Sequence, residues 1–236
     1  MANQYFNFKQ FTIMQEHCAM KVTTDACLFG AWAAVSLGIE KSILDIGAGT
    51  GLLSLMVAQQ SNATIHSVEI ERVCFNELKS NIESSPWENK IKAYCCDICT
   101  FDEDVSYDLI ISNPPFYEHQ LRSPKIATNL ARHSDQLTLT TFFENAKRLL
   151  RENGRIFLLM PFYRKNEILS SAHYHKLYPA QVADVKQSTK HDAFRTMISF
   201  STIEQEIISE TITIKDQTGS YTCRFRELLS EYYLNL

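Results

Sequence analysis

Residues 42–56, SILDIGAGTGLLSLM, constrain the fold of this chain more than any other stretch. The segment begins as a short apolar run, which is typical of a buried strand, and ends with leucine and methionine at helical spacing. Between the two parts stand Gly47, Gly49 and Gly51. A strand, a glycine turn and a helix in this order hold a nucleotide-like ligand at a helix N-terminus, where glycines let the backbone approach it closely.

An acid inside this motif indicates which ligand it suits. The pattern is Asp-x-Gly-x-Gly-x-Gly, with Asp45 two positions before the first glycine, and it differs from the G-x-G-x-x-G of dinucleotide enzymes. A carboxylate there would repel a pyrophosphate and attract an amine. S-adenosylmethionine (SAM) carries an ammonium group and no phosphate. The motif therefore favours SAM as the ligand of Asp45 and of the three glycines.

Length and composition limit the alternatives. The 236 residues suit one large α/β domain, and 45% hydrophobic with 21% charged residues is typical of globular proteins. No apolar run approaches the ~20 residues that span a bilayer. The opening residues lack the shape of a signal peptide, so we expect a cytoplasmic protein. We also expect a monomer.

The cysteines and the net charge argue against two further classes. Seven cysteines include one C-x-x-C, at Cys96 and Cys99, without the second pair that a zinc site requires. We therefore expect reduced thiols and no metal. The net charge of -4 argues mildly against nucleic acid, so a nucleic-acid substrate requires a local basic surface.

Alternating strands and helices from residue 42 onward predict a mostly parallel sheet. After the first strand we expect strands at 65–70, 90–96, 108–112, 155–160, 180–185, 197–202 and 207–214, with 180–185 and 197–202 as a hairpin-like pair. Helices are expected at 71–84, 139–150, 164–172 and 223–233. We predict a Rossmann-like, seven-stranded sheet with one antiparallel strand and helices on both faces.

One domain with three parts is predicted. Residues 1–40 form a helical segment over the cofactor site, 41–203 the core, and 204–236 a strand and helix packed on that core. Within the first part, Thr24 or Asp25 can cap a helix that carries Leu28, Trp32 and Val35 on one side.

Acidic side chains follow the next strands of the predicted sheet. Glu69 lies twenty positions after Gly49, where an acid can bind ribose hydroxyls, and Asp97 could accept a hydrogen bond from an adenine amino group. Because ligands bind beyond the carboxyl ends of parallel strands, we expect Glu69, Asp97 and Asn113 to face one crevice with the glycine turn.

The tetrapeptide Asn113-Pro114-Pro115-Phe116 after the fourth strand suits the methylation of a planar amine. The lone pair of an adenine amino group is delocalised, and two acceptors on its N–H groups favour a pyramidal nitrogen. Asn113 supplies a side-chain carbonyl and Pro114 a backbone carbonyl, while the prolines restrict the backbone. Phe116 offers a ring on which a base can stack.

A base in folded nucleic acid reaches such a site only when it is extruded or unpaired, so cations are needed nearby. We expect Phe116, Tyr117, Arg122, Lys125 and Arg132 to contact the substrate. A second basic region is expected at 164–195, where the sequence contains six basic and three acidic residues.

The chain resembles the bacterial tRNA(Val) adenine-N6 methyltransferase family. The resemblance runs nearly end to end and rests on residues 8–12, 18–22, 24–25, 30–32, 45–53, 85–87, 108–116, 221–222 and 232–234. It implies a class I methyltransferase fold, SAM as cofactor with S-adenosylhomocysteine as product, and methylation of adenosine 37 beside the anticodon. It also implies that Lys21, Thr24 and Asp25 lie at the cofactor.

Other activities share part of this pattern. Phe at position 116 also occurs in guanine-N2 rRNA methyltransferases, and Asn-Pro-Pro-aromatic serves protein glutamine methylation as well. A third alternative is an RNA-binding factor that keeps SAM for structure alone. Loss of turnover with retained SAM affinity in Asn113→Ala would distinguish an enzyme from such a factor.

Overall fold

The structure of this protein is a computed structural model that describes residues 3–114 and 137–236. In chain order its elements are β1 Tyr5–Asn7, β2 Thr12–Met14, α1 Thr24–Val35, β3 Ser42–Ile46, α2 Leu52–Gln60, β4 Thr64–Glu69, α3 Arg72–Glu83, β5 Ile91–Cys95, β6 Tyr107–Ser112, α4 Leu139–Leu149, β7 Leu150–Pro161, α5 Lys165–Tyr174, β8 Tyr178–Ser188, β9 Ala193–Ser201, β10 Ile208–Lys215 and α6 Cys223–Leu229.

A mostly parallel sheet forms the centre of the fold, in the order β10-β8-β9-β7-β6-β3-β4-β5. Only β9 among these strands runs against its neighbours, β7 and β8, which confirms the expected antiparallel strand. The sheet has eight strands rather than the predicted seven. The eighth strand is β10, which was predicted at 207–214 as part of the segment packed on the core and which joins the sheet edge by pairing in parallel with β8 from Ile208 to Lys215.

Helices cover both faces of the sheet, as expected. One buried cluster joins the sheet to α1, α2, α3 and α6, and a second joins it to α4 and α5. Helix α1 is buried on all sides from Ala26 to Ala34 because it lies between the sheet and other helices. Gly30 permits this close packing, since a Cβ there would lie 2.6 Å from Met56 Sδ.

Helix α1 begins one residue earlier than a cap at Thr24 would require and two residues earlier than a cap at Asp25 would require. Its N-cap is Thr23, whose side chain accepts a hydrogen bond from the Ala26 N–H. The predicted apolar face holds for Leu28 and Trp32, which are buried, whereas Val35 at the last turn is 63% exposed.

The N-terminal part contains a hairpin as well as the predicted helix. Strands β1 and β2 pair antiparallel, and the turn between them is packed by Phe8 and Phe11, whose rings stack 4.4 Å apart. Phe11 also meets the edge of Trp87. The helix expected within residues 1–40 is therefore preceded by a hairpin, whose turn buries Phe8 and Phe11.

No helix within residues 3–114 and 137–236 is long and apolar enough to cross a lipid bilayer.

Candidate cofactor site

The glycine turn between β3 and α2 adopts a backbone that side chains disfavour. Gly47, Gly49 and Gly51 have φ values of 70°, 55° and 87°. The N–H groups of Gly47 and Ala48 both donate to the Val68 carbonyl at the end of β4, at 2.9 and 3.0 Å. The turn is thus fastened to the neighbouring strand, with its remaining backbone at the edge of the sheet.

An open cavity lies beyond the carboxyl ends of β3, β4, β5 and β6. Its wall includes residues 18–22 of the N-terminal segment, 46–50 of the glycine turn, 68–71, 96–98 and Asn113. Six residues expected at the site line this cavity together: Lys21, Gly47, Gly49, Glu69, Asp97 and Asn113. Parallel strands place the last five of these residues at one edge of the sheet although they lie up to 66 positions apart (113 − 47).

Glu69 connects the glycine turn to the segment that begins α3. Its carboxylate accepts hydrogen bonds from the N–H groups of Gly49 and Glu71, both at 2.8 Å. Burial raises the pKa of Glu69, and these two backbone donors oppose the shift. Glu69 therefore shapes the turn directly, and its position on the wall is compatible with the expected contact to ribose hydroxyls.

Asp45 lies behind the turn and not on the cavity wall. It is fully buried, and its Oδ2 accepts hydrogen bonds from the Ser54 N–H at 3.1 Å and from the Ser54 hydroxyl at 2.6 Å. Ser54 stands in the first turn of α2, whose N-cap Gly51 has no side chain to offer. Asp45 thus supplies the acceptor that the N-terminus of α2 lacks.

Burial also removes the carboxylate of Asp45 from water without replacing all of its hydrogen bonds. Its Oδ1 has no hydrogen-bond partner among the described residues, and burial raises the pKa of Asp45 to about 7. A buried, underpartnered carboxylate close behind a ligand site favours a positively charged ligand.

The charges on the cavity wall are mostly of the same sign. Glu69, Glu71 and Asp97 bring three carboxyl groups, and Lys21 brings one ammonium group. That ammonium is already bound, because it donates to the backbone carbonyls of Gln15 and Glu16. The described wall is therefore suited to a cation and poorly suited to a phosphate.

Three other expected cofactor residues do not line the cavity. Thr24 is exposed at the start of α1, and Asp25 forms a 2.7 Å ion pair with Arg195 of β9. Gly51 faces α3, where a Cβ would lie 2.7 Å from Leu78 Cδ1. These residues position the elements around the cavity, and a direct contact to the cofactor stays a prediction.

Asp97 and Asn113 lie on the part of the cavity wall that follows β5 and β6. Asp97 Oδ1 accepts a hydrogen bond from the Cys99 N–H at 2.9 Å, which fixes the turn after β5. Asn113 directly follows β6, and the last residue of that strand, Ser112, donates its hydroxyl to the Ile46 carbonyl at 2.7 Å. Pro114 is buried beside it.

The other predicted catalytic and substrate residues lie outside the described residues: Pro115, Phe116, Tyr117, Arg122, Lys125 and Arg132.

The second basic region, residues 164–195, is partly neutralised. Arg164 pairs with Glu167, Lys165 with Asp184 and Arg195 with Asp25, each at 2.7 Å. These cations bind the protein itself, so the formal excess of positive charge overstates what this region offers to a nucleic acid.

Several residues at the site were not expected from the sequence. Cys18, Glu71 and Cys74 line the cavity, and the buried side chains of Glu77 and Asn81 on α3 hold part of its wall. A signal for the last two was present: 74, 77, 78, 81 and 82 form the apolar stripe of an amphipathic helix, and polar residues occupy two of its positions. Across residues 3–114 and 137–236 no group of three His, Cys, Asp or Glu side chains could hold a metal ion.

Comparison with known structures places this geometry within one fold. The fold is similar to that of a predicted O-methyltransferase from Agrobacterium tumefaciens, with a TM-score of 0.67, 14% identity, and coverage of 90% of this chain and 100% of that chain. It is also similar to TYW2 from P. horikoshii in complex with MeSAdo, with a TM-score of 0.61, 13% identity, and coverage of 84% and 70%.

Sequence comparison gives a narrower relationship. The profile of the family described as Methyltransferase small domain matches residues 33–175. A tRNA1(Val) (adenine(37)-N6)-methyltransferase from Christiangramia forsetii is 39% identical and one from Phocaeicola vulgatus 36% identical, and both are aligned over 100% of each chain. The sheet order, the glycine-turn cavity and these full-length relatives agree, and the chain belongs to the tRNA1(Val) (adenine(37)-N6)-methyltransferase family.

Proposed function

We propose that this protein transfers the methyl group of SAM to N6 of adenosine 37 in tRNA1(Val). One observation carries the proposal: Asn113, which begins the Asn-Pro-Pro-Phe motif, shares a cavity with an acid-lined glycine turn. The full-length relatives named for this reaction support the choice of RNA and nucleotide. A tRNA substrate is consistent with a cytoplasmic location.

The residues at the cavity fit this cofactor. When bound, SAM supplies an electrophilic methyl group on a positively charged sulfur, and it carries an ammonium group but no phosphate. The carboxyl groups of Glu69, Glu71 and Asp97 on the wall favour such a cation. We propose that Glu69 binds the ribose hydroxyls, that Asp97 accepts from the adenine amino group, and that Gly47 and Gly49 present their backbone to the amino-acid part.

Asn113 and Pro114 would orient the substrate amine. The side-chain carbonyl of Asn113 and the backbone carbonyl of Pro114 can accept the two N–H groups of adenine N6, which favours a pyramidal nitrogen with a free lone pair. Proline at 114 disfavours the helical region for Asn113, so the first acceptor is restricted before substrate arrives. The methylated nitrogen is cationic and acidic, and water can take its proton. Positioning therefore accounts for most of the catalysis.

Asn113→Ala tests this role. We expect the affinity for S-adenosylhomocysteine to stay within about twofold, because the purine amine and not the cofactor loses its acceptor, while kcat falls about 100-fold or more. Calorimetry measures the first quantity and steady-state methylation of tRNA at saturating SAM the second. A variant that methylates at the wild-type rate contradicts this role of Asn113. A wild type that binds S-adenosylhomocysteine but methylates no tRNA would instead favour an RNA-binding factor that holds SAM for structure.

A further inference from the structure

The N-terminal wall of the cavity belongs to residues 15–22, here called the N-terminal loop, which is held in its conformation by its own hydrogen bonds. Between β2 and α1, the Val22 N–H donates to Gln15 Oε1 at 2.6 Å, and the Lys21 ammonium donates to the carbonyls of Gln15 and Glu16. Gln15 is itself buried. Residues 15–22 are therefore held together from within, and 18–22 form the part that faces the cavity.

This loop is attached to the body of the protein by two polar side chains of α3. The N–H groups of His17 and Cys18 donate to the two oxygens of Glu77, at 3.0 and 2.8 Å. One helical turn later, Asn81 accepts from the Met14 N–H and donates to the Met14 carbonyl, both at 2.9 Å. Both side chains are buried, with exposures of 7% for Glu77 and 2% for Asn81.

Asn81 also reaches the opposite wall. Its amide nitrogen donates to the Thr50 carbonyl in the glycine turn at 2.9 Å. One side chain thus joins Met14, the residue directly before the N-terminal loop, to the turn between β3 and α2, and the loop and the turn both form the cavity. A hydrophobic contact would tolerate sliding, whereas these hydrogen bonds depend on distance and angle and fix the spacing of the two walls.

We propose that Glu77 and Asn81, here called the α3 clamp, are positioning residues that set the affinity for the cofactor by holding the N-terminal loop against the glycine turn. This inference rests on the proposed function only for the identity of the cofactor. The clamp residues do not line the cavity themselves and act through the backbone of 17–18 and of Thr50.

Isosteric variants separate the clamp from the packing of α3. In Glu77→Gln an amide NH₂ replaces an oxygen that accepts from a backbone N–H, and in Asn81→Asp an oxygen faces the carbonyls of Met14 and Thr50. Glu83→Gln and Asn76→Asp make the same charge changes at exposed positions of the same helix and serve as matched controls.

The probe is S-adenosylhomocysteine, titrated calorimetrically into each full-length variant. We expect each clamp variant to bind about tenfold or more weakly and each control to stay within about twofold of the wild type. In methylation assays the KM for SAM should rise likewise while kcat at saturating SAM changes little. In hydrogen exchange, the His17 and Cys18 amides should lose protection and the amides of β3 and β6 should keep theirs.

Two results would overturn the clamp. The first is an affinity in both clamp variants equal to that of the controls. The second is a loss of affinity with equal loss of protection in β3 and β6, which would mean general destabilisation. Binding of S-adenosylhomocysteine requires no RNA, so a wild type that binds it but leaves tRNA unmethylated contradicts the proposed function, and the clamp is still decided by the affinities.

Discussion

At the scale of single residues, Asp45 has a structural task that its motif did not predict, because it caps α2 through Ser54 from a fully buried position. Alternation along β3 explains this: Leu44 and Ile46 face one layer of helices, and Asp45 shares the opposite face with Ile43 and is directed towards α2. Its contact with the cofactor stays a prediction. Its negative charge can still act on a ligand through the turn.

Asp45 should give the stability of the protein a specific dependence on pH. Its pKa is raised from 3.8 to about 7 in the folded state, so the folded chain binds the proton more tightly than the unfolded chain. Between these two values the unfolded state carries fewer protons, and the contribution of Asp45 to stability falls as the pH rises. We expect wild-type stability to fall relative to Asp45→Asn from about pH 4 to about pH 7.

Urea denaturation at several pH values measures the difference in unfolding free energy between the two proteins. The comparison removes the effects of Glu69 and other acids that both proteins share. A difference that stays constant over this range would show that Asp45 is ionised throughout and would contradict its raised pKa.

The position of the cavity could be predicted from the sequence because several of its lining residues stand at the ends of strands. Gly47, Gly49, Glu69, Asp97 and Asn113 each follow or end a strand, and topology alone brings them to one edge. Glu77 and Asn81 could be noticed as polar residues in an apolar stripe, but their partners are backbone groups 31 to 67 positions away. Backbone partners have no sequence signature, so their role required the structure.

At the scale of elements, the glycine turn determines how α2 and α3 pack. Gly51 is the N-cap of α2 at φ 87°, and its Cα faces Leu78 of α3. The absence of a Cβ at Gly51 therefore permits both the left-handed backbone and the close spacing of the two helices. Residues of both helices line the cavity.

Gly51→Ala should be destabilising for both reasons. A left-handed backbone costs a non-glycine residue about 1–2 kcal/mol, and the new methyl group would also lie 2.7 Å from Leu78 Cδ1. Gly219→Ala is the control, since Gly219 has φ 84° and a methyl group added there would meet no atom within 4 Å. We expect Gly51→Ala to lose more unfolding free energy than Gly219→Ala in thermal or chemical denaturation. Equal losses would mean that α2 and α3 adjust without cost.

At the scale of the whole molecule, Tyr232 ties the hairpin of β1 and β2 to the folded core. The Tyr232 hydroxyl donates to the Met56 carbonyl of α2 at 3.0 Å, and the Lys9 N–H donates to the Tyr232 carbonyl at 2.8 Å. Tyr232 is 2% exposed. The final residues thus connect the N-terminal hairpin to the helix that follows the glycine turn.

Two substitutions at Tyr232 should separate its hydrogen bond from its packing. Tyr232→Phe removes the donor to Met56 and should cost about 1 kcal/mol of unfolding free energy. Tyr232→Ala also leaves a cavity and should cost about 3–5 kcal/mol. Guanidinium denaturation provides both values. A cost below about 1 kcal/mol for Tyr232→Ala would contradict the inclusion of the C-terminal residues in the cooperative core.

The parallel core could be predicted from the sequence more fully than its edges. Strand β3 and its neighbours appear as continuous apolar runs because they are buried on both faces, and Ile65 and Leu109 are fully inaccessible. The edge strand β10 and the short strands β1 and β2 lack that pattern. A strand at 207–214 was nevertheless expected for β10. Strands β1 and β2 are held by tertiary contacts such as that of Phe11 with Trp87, which no local periodicity reveals.

We propose that this protein uses the cavity beside Asn113, which is suited to a cation, to methylate one adenine of one tRNA. The most direct measurement incubates the protein with labelled SAM and total RNA from a strain that lacks the gene, then maps the labelled nucleoside. We predict N6-methyladenosine at position 37 of tRNA1(Val), and no label when a transcript with guanosine at that position is the substrate. Label in rRNA guanine, or tRNA1(Val) that stays unlabelled, would contradict the account.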